Sequence, residues 1–353
     1  GDHRDLHSFP TQRSSDLRIV YDLDEQGVRP YKSPLYASFL SQGDHKLVYY
    51  AEDNAGNIEE QHVFDFYVDK TPPTLVQEVV GKTFFANGKE FSSGRAQLKI
   101  TTFDNKAGVK EVYYSINKQE YMLYDKPVYL ASASGNISIK TYAIDFVNNK
   151  VETDDQNSKT NVPFIDLSGP TVKHSFLGPV FVFGDTVFIS AKTKIVLKAV
   201  DPDAGMNRIE FQQNNGETIT YSEPFQVQEP GKHNIMVTGY DNVENSSNYN
   251  FSFLVDIYGP DVYETFSTVA LRKQIFENSE YFVYPTHVVL FIAATDVLSG
   301  FDHFLYSING QPEKVFNGNI GGFTKTGKYS VKIKAFDKLG NTTEKTIRFL
   351  IGA

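Results

Sequence analysis

Residues 43–53 read Gly-Asp-His-Lys-Leu-Val-Tyr-Tyr-Ala-Glu-Asp, in which apolar and polar side chains alternate between an opening Gly and a closing Asp. Alternation with a period of two is typical of a half-buried β-strand. The same Gly-to-Asp element recurs at 135–145, 231–241 and 327–337. The closing Asp residues are 92, 96 and 96 residues apart. A period of about 95 residues is that of a small domain, so the sequence predicts an array of similar modules.

Other features repeat with the Gly-to-Asp element. An earlier alternating strand closes at Asp104, Asp201 and Asp296, and a strand rich in aromatic and β-branched residues follows each of them. No long helical periodicity is present, and several short strands in each module indicate a sandwich of two β-sheets. A small residue stands two positions before every closing Asp, which predicts that a facing sheet or ring approaches closely there: Ala51, Ala143, Gly239 and Ala335.

The composition excludes several classes of function. The chain of 353 residues has no Cys, which excludes disulfide scaffolds and thiolate metal sites. Its net charge of −9, without a basic cluster, argues against binding to nucleic acid. No apolar run is long enough for a membrane span.

The N-terminal segment differs from the rest of the chain. Residues 1–18 share no marker with the repeats and resemble a translated sequencing adapter, so we expect them to lie outside the natural fold. The true N-terminus and any signal sequence would then be missing from the chain. Pro-containing segments after the last strand of each module predict the domain boundaries, which give a truncated module at 19–69 and complete modules at 70–166, 167–256 and 257–353.

These motifs together resemble a known family. Asp53-Asn54-Ala55-Gly56-Asn57, Gly43-Asp44-His45 and Val68-Asp69-Lys70-Thr71-Pro72-Pro73 are similar to the bacterial immunoglobulin-like repeats of large secreted and outer-membrane-associated proteins, including those of spirochaete surface proteins. The resemblance covers residues 19–353. It implies an all-β fold of tandem immunoglobulin-like β-sandwich domains in an elongated array, an extracellular or cell-surface location, and roles in adhesion, spacing or anchoring without catalytic residues.

The recurring aspartates are the candidate site residues. In an immunoglobulin-like sandwich the two loops that carry them lie at one pole, close to the end of the preceding module. Calcium prefers six to eight oxygen ligands, so each junction could bind it. The alternative is that each Asp only caps its own turn. The residues concerned are Asp69, Asp104 and Asp145 at the first junction, Asp166, Asp201, Asp203 and Asp241 at the second, and Asp256, Asp261, Asp296 and Asp337 at the third.

No motif for catalysis is found, and the histidines do not form a zinc pattern. His45 and His233 share one repeat position, and we expect them to be solvated at a strand edge. Exposed tyrosines such as Tyr113 or Tyr306 could bind a ligand, although most aromatic side chains are expected in the core.

The sequence therefore predicts a non-catalytic stalk or spacer segment of a bacterial surface or secreted protein, whose partners are the neighbouring modules of a longer chain. Two alternatives remain open. One is an adhesin segment that binds a host matrix protein or glycan. The other is a set of accessory modules of a secreted enzyme whose catalytic domain is not in this chain.

Overall fold

The computed structural model describes residues 17–131, 133–153 and 162–352. Within these residues the chain forms 31 strands and one 3-10 helix, Ala37–Phe39, and the predicted all-β class of tandem immunoglobulin-like sandwiches is confirmed. The search of the described residues for a helix long and apolar enough to cross a membrane finds none. Residues 1–16 of the predicted adapter segment lie outside the described residues. Leu17 and Arg18 begin the first strand, where Arg18 forms an ion pair with Glu52.

The part of the chain from residue 17 to residue 166 contains fourteen strands among the described residues, with short hairpins between the longer strands. They are β1 Leu17–Leu23, β2 Arg29–Pro30, β3 Gly43–Asp53, β4 His62–Val68, β5 Thr74–Val80, β6 Thr83–Ala86, β7 Lys89–Ser93, β8 Gln97–Phe103, β9 Val109–Ile116, β10 Met122–Leu123, β11 Val128–Tyr129, β12 Ile139–Asp145, β13 Lys150–Thr153 and β14 Phe164–Asp166.

The strands after residue 166 follow the succession that begins at β5. They are β15 Thr171–Leu177, β16 Val180–Phe183, β17 Thr186–Ser190, β18 Lys194–Val200, β19 Met206–Gln213, β20 Thr218–Thr220, β21 Phe225–Gln226, β22 Gly231–Asp241, β23 Ser246–Asp256, β24 Asp261–Phe266, β25 Arg272–Phe276, β26 Ser279–Tyr284, β27 Leu290–Thr295, β28 Phe301–Ile308, β29 Lys314–Val315, β30 Gly327–Asp337 and β31 Thr342–Ile351.

The chain divides into two compact units, one of Gly1–Gly81 with Gly94–Ile165 and the other of Lys82–Ser93 with Asp166–Ala353. The first unit contains a sheet in the order β2-β1-β3-β4, a sheet in the order β10-β9-β12-β13 and a sheet in the order β11-β8-β5. The second and third of these sheets face each other across one core, formed by side chains such as Leu98, Ile139 and Ile165.

The second unit contains two sandwiches. In one, the sheet β15-β18-β21 faces the sheet β16-β17-β23-β22-β19-β20, with Ile195 and Val237 in the core. In the other, the pair β24-β27 faces the sheet β25-β26-β31-β30-β28-β29 around Leu290 and Ile333. Each large sheet includes one parallel pair, β17 with β23 and β26 with β31.

The Gly-to-Asp strand has a central place in its sheet, because it pairs on both sides. β22, for example, pairs with β19 and β23. The small residue before the closing Asp is needed, as predicted, because a Cβ atom at Gly239 would lie 2.8 Å from Cγ2 of Val172 on the facing sheet. The alternation therefore sets both the packing of the strand and the position of its closing Asp at one end of the sandwich.

Candidate functional site

The closing aspartates cap the turns that follow their strands. Oδ1 of Asp241 accepts the backbone N–H groups of Val243 and Asn245 at 2.9 and 2.7 Å, and Oδ2 accepts the side-chain Nδ2 of Asn245 at 2.8 Å. The same three bonds are made at the other turns, by Asp53, Asp145 and Asp337. Three of these four aspartates belong to the clusters described below. We call Asp145, Asp241 and Asp337 the second-turn aspartates.

The earlier strand ends in a similar turn. Oδ1 of Asp201 accepts the N–H groups of Asp203 and Gly205, both at 3.0 Å, and Asp104 and Asp296 make the equivalent bonds. We call Asp104, Asp201 and Asp296 the first-turn aspartates. The turn-capping role is thus confirmed for both sets, because backbone N–H groups that would otherwise lack partners are satisfied by carboxylate oxygens.

A third aspartate reaches each pair of turns from the segment that leads into the module. We call these residues the linker aspartates: Asp69, Asp166 and Asp256. Oδ2 of Asp166 accepts the N–H of Ala204 at 3.1 Å, in the first turn, while its backbone carbonyl accepts Nδ2 of Asn245 at 2.8 Å, in the second. The linker is therefore fastened to both turns by hydrogen bonds.

The three kinds of aspartate form three clusters. In each cluster one carboxylate oxygen from every member lies within 4.8 Å of the others. The first acidic cluster is Asp69, Asp104 and Asp145, the second is Asp166, Asp201 and Asp241, and the third is Asp256, Asp296 and Asp337. In the part of the chain that the structure describes, no Lys, Arg or His forms an ion pair with any of these nine carboxylates.

Two predicted site residues are not brought into the clusters. Asp203 lies in the first turn of its module, but it contributes its backbone N–H to Asp201 and not a carboxylate. Asp261 is the exposed first residue of β24. Neither carboxylate belongs to the three acidic clusters found among the described residues. Proximity in sequence to a turn does not decide the direction in which a side chain points.

The charges of the second and third clusters are poorly solvated. Burial raises the pKa values of Asp201, Asp241 and Asp296, and the neighbouring carboxylate of Asp166 or Asp256 raises them further. At the exposed turn of the first module the effect is opposite, because the hydrogen bonds from Asn57 lower the pKa of Asp53. Like charges at short distance and low solvation together favour either a proton or a cation among the carboxylates.

Two buried polar atoms at these clusters have no hydrogen-bond partner among the described residues. One is Oδ2 of Asp201, a residue that is only 9% exposed, and the other is Oγ of Ser299. The backbone N–H of Ser299 binds Oδ2 of Asp256, so this hydroxyl lies next to the third cluster. A buried acceptor without a donor costs free energy, and a cation that binds Asp201 Oδ2 would remove that cost.

The donor set fits a hard divalent cation. Three carboxylates converge in each cluster, and oxygen ligands from irregular loops are what calcium accepts. The residues that would hold the ion are the linker, first-turn and second-turn aspartates of each cluster. Sequence reasoning missed the Asn residues that connect the cluster, Asn149, Asn245 and Asn341, although their spacing of four from the closing Asp was visible.

The expected solvation of the two histidines is wrong. His45 and His233 are 7% and 3% exposed. Their Nε2 atoms lie 2.8 and 2.9 Å from the carbonyl oxygens of Ser41 and Glu229, four residues earlier in the chain. Both side chains therefore close the turn before the Gly-to-Asp strand, a structural role that the Gly-x-His spacing could have indicated.

Comparison with known proteins finds no family model and no curated protein that matches the chain. Among solved structures, the chain is similar to a Ca²⁺-stabilised adhesin with which an Antarctic bacterium binds ice, at 14% identity and a TM-score of 0.38, over 96% of this chain and 90% of that one. It is also similar to a tetra-tandem repeat from the extending region of a large adhesion protein, at 13% identity and a TM-score of 0.35, over 96% and 92%. A third is protocadherin gamma B7, extracellular cadherin domains 1–4, at 13% identity and a TM-score of 0.29, over 95% and 91%.

Proposed function

We propose that this chain is a non-catalytic segment of a bacterial surface or secreted protein, in which calcium bound by the acidic clusters fastens each linker to the module that follows it. The modules are those at 70–166, 167–256 and 257–353, after a first module that ends at residue 69. The observation that carries the proposal is the convergence of linker, first-turn and second-turn aspartates in all three clusters.

A structural role is supported by what the repeats have in common. The three sandwiches have separate apolar cores, and what recurs in each is turn capping and linker attachment. Repeated domains with capped turns and attached linkers suit a stalk or spacer, because the stability of each domain comes mainly from its own core. The resemblance of the motifs to bacterial immunoglobulin-like repeats supports a location at the cell surface or outside the cell.

Turn capping alone does not explain the acidic clusters, because it leaves the negative charges of three neighbouring carboxylates unbalanced. Bound calcium would balance them. Capping satisfies Oδ1 of each first-turn aspartate, while the second oxygen of Asp201 stays buried and without a donor. Turns can be capped by Asn or Ser at lower electrostatic cost. Three carboxylates within one small volume are therefore better explained by a cation that they share.

The test measures calcium binding and thermal stability of the full chain. Calorimetric titration after treatment with EDTA should find three sites, and millimolar calcium should raise the melting temperature in a way that EDTA reverses. A ligand present at about one hundred times its Kd stabilises the folded state by about 2.7 kcal/mol. Asp201→Asn should reduce the number of sites to two.

The matched control is Asp203→Asn, which removes an acidic side chain two residues away that lies outside the cluster. This variant should keep three sites and the full calcium response. A melting curve that calcium leaves unchanged, or equal loss of binding in both variants, would contradict the proposal.

A further inference from the structure

The fourth module has a longer connection than the third at one edge of its sandwich. Five residues, 267–271, join β24 to β25, whereas only Gly178 and Pro179 join β15 to β16. The added residues form one wall of a cleft of about 760 Å³, whose other walls come from β24, β26 and β31. We call it the module-four cleft. Insertions on a constant scaffold are where binding sites commonly arise.

The side chain of Tyr284 lines the cleft and presents its hydroxyl there. Tyr284 is 9% exposed, its ring stacks on Phe266 at 4.0 Å between centroids, and burial raises its pKa. In the described part of the chain its hydroxyl has no hydrogen-bond partner. The hydroxyl oxygen itself is not one of the fully buried polar atoms that lack a partner, so solvent reaches it from the cleft and it can hydrogen-bond a ligand there.

The cleft also presents a cation that has no acidic partner. Arg348 is exposed on β31, and it forms no ion pair among the described residues. The acidic side chain of Glu264 also lines the cleft, and its charge is paired with Lys345. A guanidinium group in this situation is suited to a carboxylate, sulfate or phosphate group on a ligand.

The remaining wall is rich in hydroxyl groups beside an aromatic ring. Ser267, Thr268 and Thr346 line the cleft, and Phe282 is 48% exposed, with Nζ of Lys273 over the ring at 5.1 Å from its centroid. Hydroxyl groups can donate to and accept from the hydroxyl groups of a sugar, and an exposed ring can pack on its C–H face. This combination of hydroxyl groups and an exposed ring beside a cation is suited to a saccharide.

We propose that the module-four cleft binds an anionic saccharide, one that carries a carboxylate or a sulfate group. Arg348 binds the anionic group, the hydroxyl of Tyr284 hydrogen-bonds a sugar hydroxyl, and Phe282 packs against the ring. This activity goes beyond a spacer role, and it does not depend on calcium at the acidic clusters, since none of their residues lines the cleft.

The experiment uses the full chain and short oligosaccharides, because the net charge of −9 would repel a long polyanion. Calorimetric titrations compare a heparin-derived hexasaccharide, a hyaluronate hexasaccharide and the neutral maltohexaose, with a hexaglutamate peptide as the non-sugar anion. We expect binding by the sulfated or the carboxylated sugar, which identifies the anionic group, and at least tenfold weaker binding of maltohexaose and of the peptide. Equal binding of the peptide would overturn the saccharide assignment, and equal binding of maltohexaose would overturn the role of the anionic group.

Two variants test the residues. Arg348→Gln should weaken the binding roughly tenfold, as expected for a charged hydrogen bond, while Arg29→Gln, an exposed arginine in the first module, should not change it. Tyr284→Phe should weaken the binding severalfold without lowering the melting temperature, because the hydroxyl has no partner in the protein. Tyr263→Phe is its control on β24, where the side chain is 55% exposed. Absence of binding to both anionic sugars, or unchanged affinity in Arg348→Gln and Tyr284→Phe, would overturn the proposal.

Discussion

The first and second acidic clusters have the same hydrogen bonds, but the residues around them are buried to different degrees. In the second turn of each module, the residue two after the aspartate is Val147 at the first cluster and Val243 at the second. Val147 is 53% exposed, whereas Val243 is fully buried. The second-turn aspartates of both clusters are fully buried, so the two clusters differ in this valine and in the linker aspartate, which is half-buried at Asp69 and 2% exposed at Asp166.

The linkers also differ at one position. Three residues after the linker aspartate stands Pro72 at the first cluster and Gly169 at the second. A Cβ atom at Gly169 would lie 2.4 Å from the backbone carbon of Ser246, at the start of β23. The third linker has the same contact, since a Cβ at Gly259 would lie 2.4 Å from the backbone carbon of Thr342. Only a glycine lets these two linkers lie directly on the strand that follows the second turn.

This comparison of the clusters shows that the recurring motif specifies the hydrogen bonds of a cluster. Residues outside the motif determine how deeply the cluster is buried. A glycine three positions into the linker and a buried apolar residue in the second turn occur together in the third and fourth modules, where Leu339 is 4% exposed. The enclosed clusters should therefore be more sensitive to mutation than the open one, and they should respond more strongly to protons and cations.

The largest expected effect comes from Gly169→Ala. The new methyl group would overlap backbone atoms, which cannot move as a flexible side chain can, so we expect a loss of about 3 kcal/mol in the free energy of unfolding. Hydrogen exchange of the amides in β22 and β23 measures the loss in the module concerned. Pro72→Ala at the same position of the first linker should cost less than about 0.5 kcal/mol in the second module. Equal losses for the two variants would show that the two linkers do not differ in how closely they contact the strand after the second turn.

A smaller effect is expected from removal of the asparagine that connects a cluster. Asn245→Ala deletes the donor to the carbonyl of Asp166 and to Oδ2 of Asp241, both buried, and should cost about 2 kcal/mol. Asn149→Ala deletes the same bonds at the first cluster, where Asn149 and Asp69 are only half-buried and water can replace the bond to the Asp69 carbonyl, so about 1 kcal/mol is expected. Urea unfolding followed by circular dichroism measures both. If the variant of the first cluster were the more damaging, the ranking by burial would be wrong.

The fold could be predicted from the sequence because its main signals are local. Period-two alternation from Gly231 to Asp241 defines a strand, and its repetition along the chain defines the tandem arrangement. The parallel pairing of β17 with β23 could not be predicted in this way. The strand β17 is short and carries none of the repeated markers, and its partner lies more than fifty residues away, so only the assembled sandwich specifies the pair.

The aspartates of the candidate site could be predicted from the sequence, but the packing around them could not. Nine of the predicted carboxylates converge because each closes a strand at one end of a sandwich. Asp203 and Asp261 do not converge, because a residue in a turn or at a strand start can direct its side chain elsewhere. The unsatisfied oxygen of Asp201 depends on the packing of three separate segments, which no local pattern encodes.

The smallest predicted effect is a difference in pH dependence between the enclosed second cluster and the open turn of the first module. The pKa of Asp201 in the folded state is raised above its unfolded value, so the folded state binds more protons between the two values. In EDTA, the third module should therefore become more stable as the pH falls from neutral through the raised pKa of Asp201 towards the ordinary aspartate value of 3.8. The pKa of Asp53 is lowered, so its contribution is complete above about pH 4 and is lost only below it.

Scanning calorimetry at a series of pH values, with Asp201→Asn as the control, separates the two trends. The variant should have a flatter profile for the third module and an unchanged profile for the first. The expected shift is a few degrees or less, since it arises from one or two coupled carboxylates. In saturating calcium the trend of the third module should reverse, because protons then compete with the cation for the same oxygens. A third module whose stability falls steadily on acidification in EDTA would show that the carboxylates of the second cluster are stabilised as anions by the turns alone.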